Sequence, residues 1–205
     1  ASNYVYEDGA ILENGYNGMG ANGVTYFPNV NSTTIPVLRI TQNISLPVGA
    51  AAPTRVNGII EANGNISFSA AGQKIFRNGI RGTGNITTTT TCGLVLIDGV
   101  TAVLGGNGVI NAAASAGIQI GAATGTTVTL SSNKAITGNI ALLATSTYVD
   151  LGSWQLIVNG TFSGGSSTSY IRSSGNGSLI MENVQVTGKL FPVGHTRYNP
   201  VLIEN

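Results

Sequence analysis

The chain has 205 residues, of which 42% are hydrophobic and only 8% charged, with a formal net charge of +1. That apolar content excludes a disordered chain. The nine basic residues are scattered singly from Arg39 to Arg197, which excludes the basic stripe that a nucleic-acid phosphate backbone would require.

Residues 1 to about 50 read as a lead-in or cap. Tyr4, Tyr6, Tyr16, Tyr26 and Phe27 stand among the turn pairs Asn14-Gly15, Asn17-Gly18 and Asn22-Gly23, which tolerate positive φ. The run Pro36-Val37-Leu38-Arg39-Ile40 follows and has the character of a strand. The opening Ala1-Ser2-Asn3, without Met, is what removal of a secretory signal peptide leaves, and a trimmed chain would look the same.

A repeated phrase comes next. Asn57-Gly58-Ile59 followed by Gly64-Asn65-Ile66 returns as Asn78-Gly79-Ile80 followed by Gly84-Asn85-Ile86. A shift of about twenty residues lies in the range of solenoid repeats. A coil of that size cannot bury its apolar side chains alone, so it needs neighbours above and below.

From 51 to 188 short β-branched or apolar segments alternate with Gly or Asn, among them Leu94-Val95-Leu96-Ile97, Ile118-Gln119-Ile120, Val128-Thr129-Leu130 and Leu156-Ile157-Val158. No stretch sustains a helical period with caps, and Gly117, Gly121 and Gly125 argue against a helix after Ala112. The phrases Asn107-Gly108 and Asn159-Gly160 suggest two further coils of about 26 residues. Ile59, Ile66, Ile80, Ile86, Ile110, Ile120, Leu130, Ile140 and Ile157 are expected to point into one core. Cys92, the single cysteine, is expected to be a buried strand residue without a disulfide partner. No apolar run approaches the roughly 18 residues of a membrane-spanning helix.

At the C-terminal end a passage begins at Leu156-Ile157-Val158-Asn159-Gly160-Thr161-Phe162-Ser163-Gly164-Gly165 and runs through Ser166 to Ile171. It continues through Gly175-Asn176-Gly177-Ser178-Leu179, Phe191-Pro192-Val193-Gly194 and Tyr198-Asn199-Pro200-Val201. This passage resembles a segment of the large secreted β-solenoid surface proteins of Bacteroidota-type bacteria, with a looser likeness over the Asn57 to Ile86 repeats. His195 is a departure, since Thr or Ser usually follows that Gly. The resemblance implies an extracellular, structural or adhesive protein and carries over no catalytic residue.

Read for chemistry, the chain offers little. His195 is the only histidine, which leaves a triad or multi-histidine site without its other members. Asp98 and Asp150 follow strand-like runs and are the candidate Ca²⁺ ligands of a carbohydrate-active β-helix enzyme, but no carboxylates cluster in the sequence at ligand spacing, and solvated turn residues are expected instead. The threonines at 87–91, 124, 126, 127 and 129 would organise ice only if Thr-x-Thr recurred in successive coils, and the sequence gives no such register.

The expected fold is therefore all-β, a parallel β-helix (β-solenoid) over 51–188 with an irregular N-terminal cap over 1–50 and a short C-terminal strand segment over 189–205. No enzyme activity, metal or cofactor is expected. The expected function is that of a secreted or cell-surface structural subunit that polymerises with copies of itself by strand addition and end-to-end stacking. Val201, Leu202 and Ile203, with Tyr4, Val5 and Tyr6 at the other end, are the candidate assembly residues. The alternative is a monomeric adhesin stalk or module touching a cell surface or carbohydrate. Nucleic-acid binding and a membrane span are not expected.

Overall fold

A computed structural model describes residues 11–14, 37–46, 55–56, 58–68, 72–89, 92–113, 117–122, 125–143, 145–182, 189–197 and 201–203; within these, the side chains at 12–14, 45–46, 55, 72, 92–94, 189–190 and 202–203 are not described. The described residues form strands and turns and contain no helix. The chain winds through three parallel sheets in turn, building a β-solenoid of about six turns. No helix long and apolar enough to cross a membrane occurs among the described residues.

The first face stacks nine strands: Ile11–Asn14, Val37–Ile40, Ile59–Ala62, Gly79–Arg81, Thr101–Leu104, Thr126–Leu130, Thr147–Asp150, Tyr170–Arg172 and Val193–Gly194. The second stacks seven: Ile44–Leu46, Ile66–Phe68, Ile86–Thr88, Ile110–Asn111, Lys134–Thr137, Gln155–Asn159 and Ser178–Met181. The third stacks six: Arg55–Val56, Gly72–Phe76, Cys92–Ile97, Ile118–Ile120, Ile140–Leu142 and Phe162–Gly164. The first-face sheet thus crosses both expected borders, reaching back to Ile11 and forward to Gly194.

Alternation of side chains along each strand builds the core. On the first face Leu38, Ile60, Ile80, Leu104 and Leu130 stack in register, each buried. On the second, Ile44, Ile66, Ile86, Ile110, Ile136 and Val158 do the same. Each such side chain contributes about 1.5–3 kcal/mol relative to an exposed one. Phe68 and Phe76 meet inside the coil at 5.7 Å between ring centres, joining the second and third faces.

Two expected core residues face outward instead. Ile59 and Ile157 are only half-buried, and their neighbours Ile60, Leu156 and Val158 take the inward positions. The reason for Ile59 lies in the repeat. Asn57 and Asn78 stand 21 apart in the sequence, whereas the strands pair Ile60 with Ile80, so the first half of the phrase is out of phase by one residue. A one-residue slip moves a side chain to the opposite face. The second half, Gly64-Asn65-Ile66 against Gly84-Asn85-Ile86, is in true register, and both isoleucines are buried.

The Asn107-Gly108 and Asn159-Gly160 phrases are not equivalent positions either. Asn159 pairs with Thr137, which follows the partner of Ile110, so its counterpart is Asn111. Coil length varies from 20 residues (Ile60 to Ile80) to 26 (Leu104 to Leu130) without loss of register. Cys92 opens a strand of the third face at a register irregularity against Gly72–Phe76, and its side chain lies outside the described residues.

Candidate functional site

The corner leading into the second face explains the Gly-Asn-Ile phrase chemically. The Asn65 N–H donates to Asn43 Oδ1 (2.9 Å), the Asn85 N–H to Asn65 Oδ1 (2.8 Å) and the Val109 N–H to Asn85 Oδ1 (2.9 Å). Each asparagine thus satisfies a strand-opening amide one coil above, and the ladder ends where Val109 supplies no acceptor. The preceding glycines stack with equal closeness. A Cβ on Gly84 would collide with the Gly64 carbonyl, and one on Gly108 with the Gly84 carbonyl. The phrase recurs as Gly138-Asn139-Ile140 at the next corner, where Asn139 Oδ1 accepts the Thr161 N–H (3.1 Å) and hydroxyl (2.8 Å).

Ionic pairs lie on the outer side of the first face. Glu61 accepts Arg39 Nε at 2.9 Å from the coil below and Arg81 Nη2 at 2.8 Å from the coil above. Burial raises the Glu61 pKa, but hydrogen bonds from Arg39, Arg81 and Asn63 and the Arg81 charge outweigh it and hold the carboxyl below its ordinary value.

Asp150 is the corresponding anchor near the C-terminal end, and the expectation of a solvated turn carboxylate is corrected there. It is buried, its Oδ1 accepts the Gly152 and Ser174 amides (3.0 and 3.1 Å), and its Oδ2 accepts Arg172 Nε (3.1 Å). Burial opposes ionisation, yet those amides and the Arg172 charge lower its pKa. Arg172 also lies 4.7 Å over the Tyr148 ring, which meets Tyr170 edge-on at 5.2 Å. With its oxygens engaged in this way, Asp150 locks a turn. Asp98 is half-buried at the corner entering the first face, and His195 is exposed, with Nδ1 2.9 Å from the Ser173 carbonyl. No three His, Cys, Asp or Glu side chains among the described residues come together as metal ligands.

Two lysines sit inside the coil, and no sequence pattern marks either as buried. Lys74 is fully buried and Lys134 nearly so. The Lys134 ammonium donates to the carbonyls of Gly105 (3.1 Å), Gly106 (3.5 Å) and Gly108 (2.6 Å) in the coil below. Burial lowers its pKa to about 8.

The candidate assembly residues divide. Tyr4, Val5 and Tyr6 lie outside the described residues. Val201, Leu202 and Ile203 form a strand, and its partner is in the same chain: Val201–Ile203 pairs antiparallel with Lys189–Phe191. The candidate assembly strand therefore already has one partner within its own chain. The hairpin is a separate two-stranded sheet, with Val201 half exposed. Between its strands, Val193–Gly194 returns to the first face, where Gly194 packs so close to Tyr170 that a Cβ would meet the ring. Among the described residues no strand covers the far edges of Phe162–Gly164 and Ser178–Met181, the last strands of the third and second faces.

The chain matches no protein-family model, no curated protein and no solved structure at a significant level.

Proposed function

We propose that this chain is an extracellular structural rod that polymerises with copies of itself by strand addition at its C-terminal end. The observation that carries the reading is the hairpin of Lys189–Phe191 and Val201–Ile203. Two strands alone are marginal in water, and a third strand or a packed face is needed for independent stability. A strand from a neighbouring chain supplies it, as do contacts at the edges of Phe162–Gly164 and Ser178–Met181, which no described strand covers. Few charges defend those edges, since only 8% of the chain is charged. Contact between unlike ends is heterologous and extends into a filament where its rotation does not close.

A monomeric stalk or module of a larger surface protein is the second reading. It is favoured by the antiparallel pairing of Lys189–Phe191 with Val201–Ile203, which adds no strand to the three parallel sheets.

Deleting residues 199–205 separates the two. Under strand addition the truncated chain keeps its circular dichroism spectrum and forms no fibres under the electron microscope, whereas the full chain does. Isolated short rods from the full chain favour the stalk. Fibres from the truncated chain reject this hairpin as the assembly site. Extracellular placement is tested separately, by whether protease added to intact cells of the source organism degrades the chain.

A further inference from the structure

Thr126 and Thr147 open successive strands of the first face and stand opposite each other in register. Both are turned into the coil, with relative exposures of 1% and 0%, and neither hydroxyl meets a protein hydrogen-bond partner. The inward direction is set by the backbone: the residue before each, Gly125 (φ 88°) and Ser146 (φ 61°), is left-handed. One coil below, the equivalent position is Val100, which points out to solvent at 60% exposure and so adds no side chain to the column beneath. One coil above stands Ser169, whose Oγ accepts the Thr147 N–H at 3.3 Å.

Neighbouring strands lie about 4.8 Å apart, and parallel threonine side chains keep roughly that distance between their hydroxyls. That is too long for a direct bond between hydroxyls, which needs about 2.8 Å. It suits one bridging molecule well: two legs of about 2.8 Å spanning about 4.8 Å meet at roughly 120°, close to the angle between the hydrogen-bonding directions of water. The Ser146 carbonyl, which takes the Thr126 N–H at 3.3 Å, has a second lone pair and can serve as a third partner. Buried waters typically make about three hydrogen bonds to groups otherwise left unsatisfied.

We propose that Thr126 and Thr147 hold a single internal water molecule between two coils, pinned by both hydroxyls. The site is independent of the assembly reading.

Thr126→Val, Thr147→Val and the double variant test it by urea denaturation. With a shared water, each single substitution removes one of its holders and strands the other hydroxyl, so the unfolding equilibrium constant rises by about three- to tenfold in each case. The double variant is then less impaired than the product of the two effects, because nothing is left to strand. If each valine instead stabilises the protein and the effects multiply independently, the hydroxyls are simply orphaned and the proposal fails. Magnetisation transfer from long-lived water to the Thr126 and Thr147 amides of the unaltered protein gives the second readout: cross-peaks are expected, and their absence overturns the site.

Discussion

The Lys134 ammonium donates to the Gly108 carbonyl at 2.6 Å across one coil of the solenoid. Together with the bond to Gly105 it ties the second-face strand to the corner below, in a 26-residue coil, the longest length in the described stack. Lys134→Met keeps the volume but orphans those carbonyls, and should cost about 1–3 kcal/mol by urea denaturation at pH 7.

The same lysine gives a pH dependence of definite sign. Its folded pKa is about 8 against 10.5 for the free side chain, so between those values the unfolded chain binds the extra proton. Stability therefore carries a penalty below pH 8 that is relieved as the pH rises toward 10.5. The free energy of the native protein minus that of Lys134→Met should climb over this window, and subtraction removes the tyrosine titrations. A flat difference would show that the carbonyls retain the ammonium fully.

Glu61→Gln should lose both ion pairs with Arg39 and Arg81. The pairs are partly exposed, so the cost is modest, about 0.5–1.5 kcal/mol at low salt and smaller at high salt. Because the folded pKa lies below 4.5, this contribution is present above that value and is lost as the pH falls through the folded one. Comparative melts of the two proteins at pH 7 and in stepwise acidification check it.

Gly84→Ala and Gly108→Ala should each destabilise by more than about 2 kcal/mol, or prevent folding, since the new methyl meets a backbone carbonyl that cannot turn aside. Asn85→Ala, one residue away, releases only the solvent-accessible Val109 amide and should cost about 0.5–1 kcal/mol. The contrast between neighbouring positions in thermal melts tests whether steric contact or hydrogen bonding dominates the corner.

Ser146→Gly should be neutral or stabilising by up to about 1 kcal/mol. Ser146 is the sole described non-glycine residue at positive φ, and Gly125 already fills the equivalent place one coil below. A lower melting temperature for this variant would mean that the serine side chain has a role beyond its backbone.

Much of the fold was legible because solenoid coils repeat their corners. Gly-Asn-Ile marks a stacked glycine, an asparagine that serves the coil above and an inward isoleucine, and the repeat's Ile66 and Ile86 are both buried as expected. Phase was less legible. Ile59 and Ile60 are adjacent and alike, and only the partner strand decides which faces inward. Buried polar groups left no trace: nothing in Asn133-Lys134-Ala135 distinguishes a lysine capped by carbonyls of another coil from one in water, since its partners lie 26 to 29 residues away. Val201-Leu202-Ile203 reads as a strand, but its apolar pattern could not reveal its partner Lys189–Phe191, because another strand, Val193–Gly194, lies between the two and belongs to the first face.

The drift in coil length separates two quantities that are tied together in most folds. Coils run from 20 to 26 residues, the corners taking up the difference, while each coil still advances by one strand spacing, about 4.8 Å. Reach is thus counted in coils and not in residues. Duplicating one unit of about 22 residues lengthens the rod by a fixed step, whereas an insertion at a corner thickens it and leaves its span unchanged. Selection can in this way adjust the distance between the two ends and the decoration of the sides as separate traits.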